Sequence, residues 1–217
     1  FSVCSVAICF AGPSYIVTDL GNLGGNFSSA LGINDYGQVV GHSYTASGAE
    51  RAFLWKSASG MQDLGTLSGT YSVSYAAGIN NSGQVTGYSS DSTNFYYAFL
   101  WQNNTGMQNI GTLPGGLGSY AYGINNSGQV VGYDDSDTGR NRAFIWQGGN
   151  GMQNLGTLGG TYLNSYATSI NDRGHVVGYS FNNTAYNHAF LWQNGSMQNL
   201  GTFSGGNNSK RKTKYVF

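Results

Sequence analysis

A stretch reading YAYGINNSGQVVGY at residues 120–133, followed by RAFIWQGGNGMQNLGTL at residues 142–158, occurs in four near-copies along the chain. The Ile of the GIN or SIN element recurs at Ile33, Ile79, Ile124 and Ile170, and the Trp of a later element at Trp55, Trp101, Trp146 and Trp192. Both series advance by 46, 45 and 46 residues, the length of a four-stranded supersecondary unit. Such a chain must bury each unit against its neighbours, because one unit alone lacks a core.

Each copy divides into four short strands. The first ends in Ile-Asn and enters a turn: Asn34-Asp35-Tyr36-Gly37, Asn80-Asn81-Ser82-Gly83, Asn125-Asn126-Ser127-Gly128 or Asn171-Asp172-Arg173-Gly174. Asn at the first position bonds the backbone two residues on, and Gly at the fourth takes the left-handed conformation after a type I turn. The second strand, QVVG and its variants, leads into a loop that differs between copies. The third is RAFLW, YAFLW, RAFIW or HAFLW, in which Phe and Trp share one face while Leu54, Leu100, Ile145 and Leu191 point the other way. Apolar side chains on both faces predict a sheet covered on both sides. The fourth strand centres on Leu64, Ile110, Leu155 or Leu200, and GTLGGTY-like pieces bridge to the next copy.

These features predict an all-β, β-propeller-like array of four-stranded antiparallel blades, with four full repeats in an incomplete array. A β-solenoid is the alternative, although its parallel coils have no use for a hairpin turn at every GIN. The repeat domain spans residues 15–206, divided at about 15–61, 62–107, 108–152 and 153–197 with a partial copy at 198–206, before an off-pattern basic tail at 207–217. The segment Tyr15 to Gly21 matches the later fourth strands and is expected to be a strand without the three that should precede it. Together with the bridge-like GTFSGGNNS, it suggests a truncated or frame-shifted member of a longer array.

Charged residues make up only 8% of the chain, and Gly (35) and Tyr (16) are abundant, a profile of short strands and tight turns. Four of the nine basic residues, Lys210, Arg211, Lys212 and Lys214, sit in the tail, which leaves a mildly acidic body with no electrostatic footprint for nucleic acid. The opening FSVCSVAICFAGPSY holds both cysteines, Cys4 and Cys9, and residues 1–14 read as the remnant of a secretory signal peptide. No other segment is long and apolar enough to span a bilayer as a helix.

With the elements GINxxGQVVG, HAFLW at His188 to Trp192 and MQNLGTLGG repeated in one order, the chain resembles the bacterial extracellular HAF repeat family. The resemblance covers about residues 15–206. It implies a secreted or surface-exposed bacterial protein of tandem repeats, without a settled activity and without catalytic residues to carry over. Arg51, Tyr97 and Arg142 stand where the last copy has His188, which argues against that His as a required ligand.

No catalytic set, cofactor motif or metal-ligand spacing stands out. His42, His175 and His188 fall in no zinc-like pattern and read as satisfied surface histidines. The acidic run Asp134-Asp135-Ser136-Asp137 reads as a solvated loop, with a calcium loop as the sharper alternative. The first strands SSALGIN, SYAAGIN, SYAYGIN and SYATSIN hold neither acid nor base where propeller enzymes place them, which argues against a glycosidase-type pair. Tyr71, Tyr75, Tyr120, Tyr122, Tyr162 and Tyr166 cluster around bridges and first strands. Of these, Tyr75, Tyr120, Tyr122 and Tyr166 are the candidate ligand-binding residues, suited to stacking on a glycan or cell-surface polymer. The functional expectation is a secreted, non-enzymatic binding or scaffold module; the alternative is a secreted enzyme acting on polysaccharide through inter-blade loops.

Overall fold

The computed structural model describes residues 16–68, 72–93, 95–160, 163–183 and 186–202. Among these residues there is no helix. The leader, both cysteines, the basic tail, Tyr71 and Tyr162 lie outside them.

Sixteen strands form four separate four-stranded sheets, each in simple up-and-down order. The first sheet holds β1 (Gly24–Ile33), β2 (Val39–Thr45), β3 (Glu50–Lys56) and β4 (Gly60–Asp63). The second holds β5 (Ser74–Ile79), β6 (Val85–Ser90), β7 (Tyr96–Gln102) and β8 (Gly106–Asn109). The third holds β9 (Gly116–Ile124), β10 (Val130–Ser136), β11 (Asn141–Gln147) and β12 (Gly151–Asn154), and the fourth β13 (Ser165–Ile170), β14 (Val176–Phe181), β15 (Asn187–Gln193) and β16 (Ser196–Asn199). All strand pairs are antiparallel, so the solenoid alternative is set aside in favour of a blade-like array.

The turns form as their residues dictate. Asn125 Oδ1 accepts the amides of Ser127 at 3.1 Å and Gln129 at 2.9 Å, Gly128 N–H donates to the Asn125 carbonyl at 3.0 Å, and Gly128 sits at φ 76°. The first three turns also reach the next blade. The amides of Asn34, Asn80 and Asn125 donate to the backbone carbonyls of Asn80, Asn125 and Asn171, each at 3.0 Å.

Blades stack face to face through three apolar clusters. Val40, Ala52, Leu54 and Leu64 of the first blade meet Ile79, Val85, Phe99 and Trp101 of the second. Equivalent residues join the second blade to the third and the third to the fourth. The Phe–Trp face of one third strand therefore packs on the Ala–Leu face of the preceding blade, and burying one such Phe contributes about 1.5–3 kcal/mol. Bridging serines fix the stack: Ser74 Oγ accepts from Ala52 N–H at 2.9 Å and donates to the Gly65 carbonyl at 2.6 Å. Ser119 and Ser165 repeat the arrangement.

Residues 16–21 of the expected leading strand form no strand, and among the described residues no third strand lies beside them; Tyr15 lies outside the described residues. Ile16 and Val17 are exposed. The segment nonetheless ends as a fourth strand does: Gly21 N–H donates to Asp19 Oδ1 at 2.9 Å, Ser28 Oγ donates to the Gly21 carbonyl at 2.8 Å and Leu23 N–H donates to Ser43 Oγ at 3.0 Å.

Candidate functional site

The first strands β1, β5, β9 and β13 stand side by side in chain order, each beside the first strand of the next blade. At one equivalent position in each strand, two residues before the terminal Ile, a residue is skipped in the pairing with the second strand: Leu31, Ala77, Tyr122 and Thr168. Such a bulge turns a side chain away from the alternation of its strand. All four bulge residues line a single cavity of about 500 Å³.

Across from each bulge stands the Gly of the VVG or VTG element. A Cβ on Gly41, Gly87, Gly132 or Gly178 would lie 1.9 Å from the carbonyl oxygen of Ser29, Tyr75, Tyr120 or Tyr166. The Gly is thus required by close backbone approach. Next in sequence come Tyr88, Tyr133 and Tyr179, which join Tyr122 and Tyr166 in the cavity wall.

Behind that wall the rings form a ladder through the blades. Within a blade, Tyr75–Tyr88, Tyr120–Tyr133 and Tyr166–Tyr179 stack across the strand pair with centroids 5.0, 4.9 and 4.7 Å apart. Between blades, His42–Tyr75, Tyr88–Tyr120 and Tyr133–Tyr166 meet edge-on at 5.1, 5.1 and 4.9 Å. Each contact contributes about 0.5–1.5 kcal/mol beyond area burial. Third-strand residues fix two of the hydroxyls: Tyr75 donates to Glu50 Oε2 at 2.7 Å, and Asn141 Nδ2 donates to the Tyr166 hydroxyl at 2.6 Å.

Of the four tyrosines singled out in the sequence, Tyr122 and Tyr166 therefore stand in the cavity wall. Tyr75 and Tyr120 stand in the ladder and position Tyr88 and Tyr133. Sequence reasoning missed Tyr88, Tyr133 and Tyr179, whose signal is the Tyr directly after the repeated Gly. It also missed the bulge positions Leu31, Ala77 and Thr168; there the four first strands each carry a different residue.

Burial keeps the phenols protonated. It pushes Tyr122 up to about 12 with Tyr88 adding to the effect, and Tyr120 up to about 12 with the Asp135 carboxylate contributing next. Tyr133 is raised by burial and then by Tyr122, while Tyr88 and Tyr179 are raised chiefly by burial. Among the described residues no acidic or basic side chain lines the cavity.

Two expectations about charged residues are corrected. Asp134, Asp135 and Ser136 belong to strand β10, not to a solvated loop, and Asp134 is fully buried. Its carboxylate takes the Leu113 N–H at 3.0 Å and pairs with the Arg142 guanidinium, whose Nε lies 2.8 Å from Oδ1. A carboxylate committed to these partners cannot turn outward to a cation. His42 is not a satisfied surface residue: it packs between Phe27 and Tyr75, and its Nε2 lies 3.5 Å from Glu50. Its buried Nδ1 has no hydrogen-bond partner, and burial holds its pKa below the usual value. Among the described residues no three His, Cys, Asp or Glu side chains converge as a metal site.

The family model described as "Protein of unknown function (DUF3466)" matches residues 25–158, from the first strand through the bridge after β12. The chain belongs to this DUF3466 family. The matched span of this DUF3466 protein includes Tyr88, Tyr122 and Tyr133. Among solved structures, it is similar to AofleA from Arthrobotrys oligospora, at 13% identity and a TM-score of 0.48, covering 79% of this chain and 55% of that one. It is also similar to an arginine-to-alanine triple mutant of AofleA, at 14% identity and a TM-score of 0.39, covering 87% of this chain and 76% of that one. The DUF3466 chain thus spans just over half the length of the first. No curated protein matches it.

Proposed function

We propose that this protein is a non-enzymatic binding module, secreted or held at the bacterial cell surface, that takes a neutral glycan or cell-surface polymer into its tyrosine-lined cavity. The observation that carries the reading is the convergence of Tyr88, Tyr122, Tyr133, Tyr166 and Tyr179 on one space of about 500 Å³. That volume lies in the ordinary range of small-ligand sites. Phenol rings offer flat apolar faces to the C–H faces of sugars, and their hydroxyls both donate and accept hydrogen bonds. The raised phenol pKa values and the absence of charge in the wall favour a neutral ligand over an ionic one. The apolar opening of the sequence and the HAF-repeat resemblance support placement outside the cytoplasm.

The repeated frame and the differing loops also suit a scaffold, with the strands held constant and the connections free to vary. A glycan array probed with the purified chain, paired with a pull-down on bacterial cell walls, tests the proposal. Enrichment of neutral saccharides is expected; an array without enrichment contradicts it.

A further inference from the structure

The outward faces of the first and last described blades carry opposite halves of an interface that the molecule already makes three times. At the joint between the third and fourth blades, Val131, Ile145 and Leu155 face Ile170, Trp192 and Met197. On the outward face of the fourth blade the residues equivalent to the first set are Val177, Leu191 and Leu200. On the outward face of the first blade those equivalent to the second set are Ile33, Trp55 and Met61.

Both outward faces are open to solvent at positions that are buried inside the array. Val177 is 36% exposed and Leu200 54%, against 0% for Val131 and 6% for Leu155. Ile33 is 69% exposed, against 9% for Ile79. The turn ladder stops at the same two places. Asn171, exposed at the end of the last described turn, has no following turn among the described residues to receive its side-chain amide, and no side-chain amide of a preceding turn among them reaches the Asn34 carbonyl, which accepts the Gly37 N–H of its own turn.

We propose that these two faces bind one another between two copies of this chain, head to tail. The internal joints supply the template, and a second copy is the partner that carries the matching set in the matching order. Such a contact is heterologous, so it propagates into open chains or closes into a ring.

Two features weaken the contact relative to an internal joint. The segment 16–23 already occupies the place that the end of a fourth strand takes on the first blade, through Ser28 and Ser43. It has no ladder bonds to a third strand, whereas β16 pairs with β15 at four positions, so the leading segment is the one that yields. Gly201 C=O then replaces Gly21 C=O on Ser28. The second feature is charge. Inside the array an amide meets each turn carboxylate: Asn81 Nδ2 donates to Asp35 Oδ2 at 2.6 Å, and Asn126 Nδ2 donates to Asp172 Oδ2 at 2.9 Å. At the joint between copies Asp172 meets Asp35, and two like charges oppose each other.

Sedimentation velocity across a concentration series tests the proposal with four chains: the native protein, Ile33→Arg, Val177→Arg and Asp35→Asn. Self-association of the native protein is expected, and it should be lost in both Arg variants because each destroys one end. Mixing the two Arg variants should restore a 1:1 dimer through the one intact pair of faces. Asp35→Asn should tighten association roughly fivefold by removing the opposed charge. Circular dichroism melts confirm that the variants fold, as expected for substitutions at exposed positions. A native chain that stays monomeric up to about 1 mM overturns the proposal. So does a mixture of the two Arg variants that stays monomeric while the native chain associates.

Discussion

The side-chain amide of Asn125 donates to the backbone carbonyl of Asn171 at 3.0 Å, joining turns 46 residues apart on neighbouring blades. The same residue holds its own turn through the amides of Ser127 and Gln129, and it donates to Gln129 Oε1 at 2.7 Å. One Asn thus shapes a hairpin and docks it. Asn125→Ala is expected to destabilise the chain by about 2–3 kcal/mol, since two turn amides lose their acceptor and the Asn171 carbonyl loses its inter-blade donor together. Denaturant melts check this; a loss below about 0.5 kcal/mol, the usual size for a surface change, contradicts the role.

Gly132 is expected to tolerate no side chain. Its Cβ would lie 1.9 Å from the Tyr120 carbonyl oxygen and 2.9 Å from Ala121 Cα, both backbone atoms that cannot swing aside. Gly132→Ala should cost about 3 kcal/mol or more through forced backbone displacement. Gly148→Ala is the control, because the nearest atom to its added Cβ is on the Trp146 ring at 3.6 Å, an ordinary contact. Equal melting midpoints for the two variants would contradict the steric argument.

The repeat, the four strands of each copy and the hairpin turns were legible in the sequence, because each rests on local chemistry. An Asn bonding two residues on and a Gly at positive φ need no distant partner. The cavity was not legible. Tyr120 and Tyr122 are two apart and read as one strand face, yet the bulge sets Tyr122 into the cavity wall while Tyr120 stays in the ladder. Whether a strand carries a bulge depends on the register of its neighbour, which alternation alone does not reveal. The segment from Tyr15 to Gly21 illustrates the converse limit: its resemblance to MQDLG is real, but a strand also needs a partner, and among the described residues no third strand lies beside residues 16–21.

The Asp134–Arg142 pair replaces Ser and Tyr of the second blade, where Ser89 faces Tyr97 in the same register. Arg142→Ala leaves a fully buried carboxylate without its counter-charge and should cost about 3–5 kcal/mol. The double change Asp134→Ser with Arg142→Tyr copies the second blade and should recover most of that loss. Thermal melts of the single and double variants decide it; a double variant no more stable than Arg142→Ala contradicts the account of the pair.

Alkaline pH should destabilise the chain. Tyr120 and Tyr122 titrate at about 12 in the folded protein, against 10.0 for an exposed phenol. A folded-state pKa above the unfolded value means that the native chain retains protons which the unfolded chain releases. The associated stability is complete below about pH 10 and is lost as pH rises toward 12. Melting midpoints recorded from pH 8 to 12 should fall across that window, with phenolate absorbance appearing alongside unfolding. A midpoint constant to pH 12 contradicts the buried ladder.

The binding reading is tested most directly at Tyr122, whose bulge position is filled by Ala77 in the second blade, so that Tyr122→Ala leaves the fold a residue it already accepts. Titration calorimetry with the best neutral glycan from an array, on the native chain and on Tyr122→Ala, is the measurement. A loss of affinity of about tenfold, equivalent to one lost aromatic contact of about 1.4 kcal/mol, is expected in a variant that still melts cooperatively. Equal affinity in the two proteins would place the ligand elsewhere and contradict the tyrosine-lined cavity as the site.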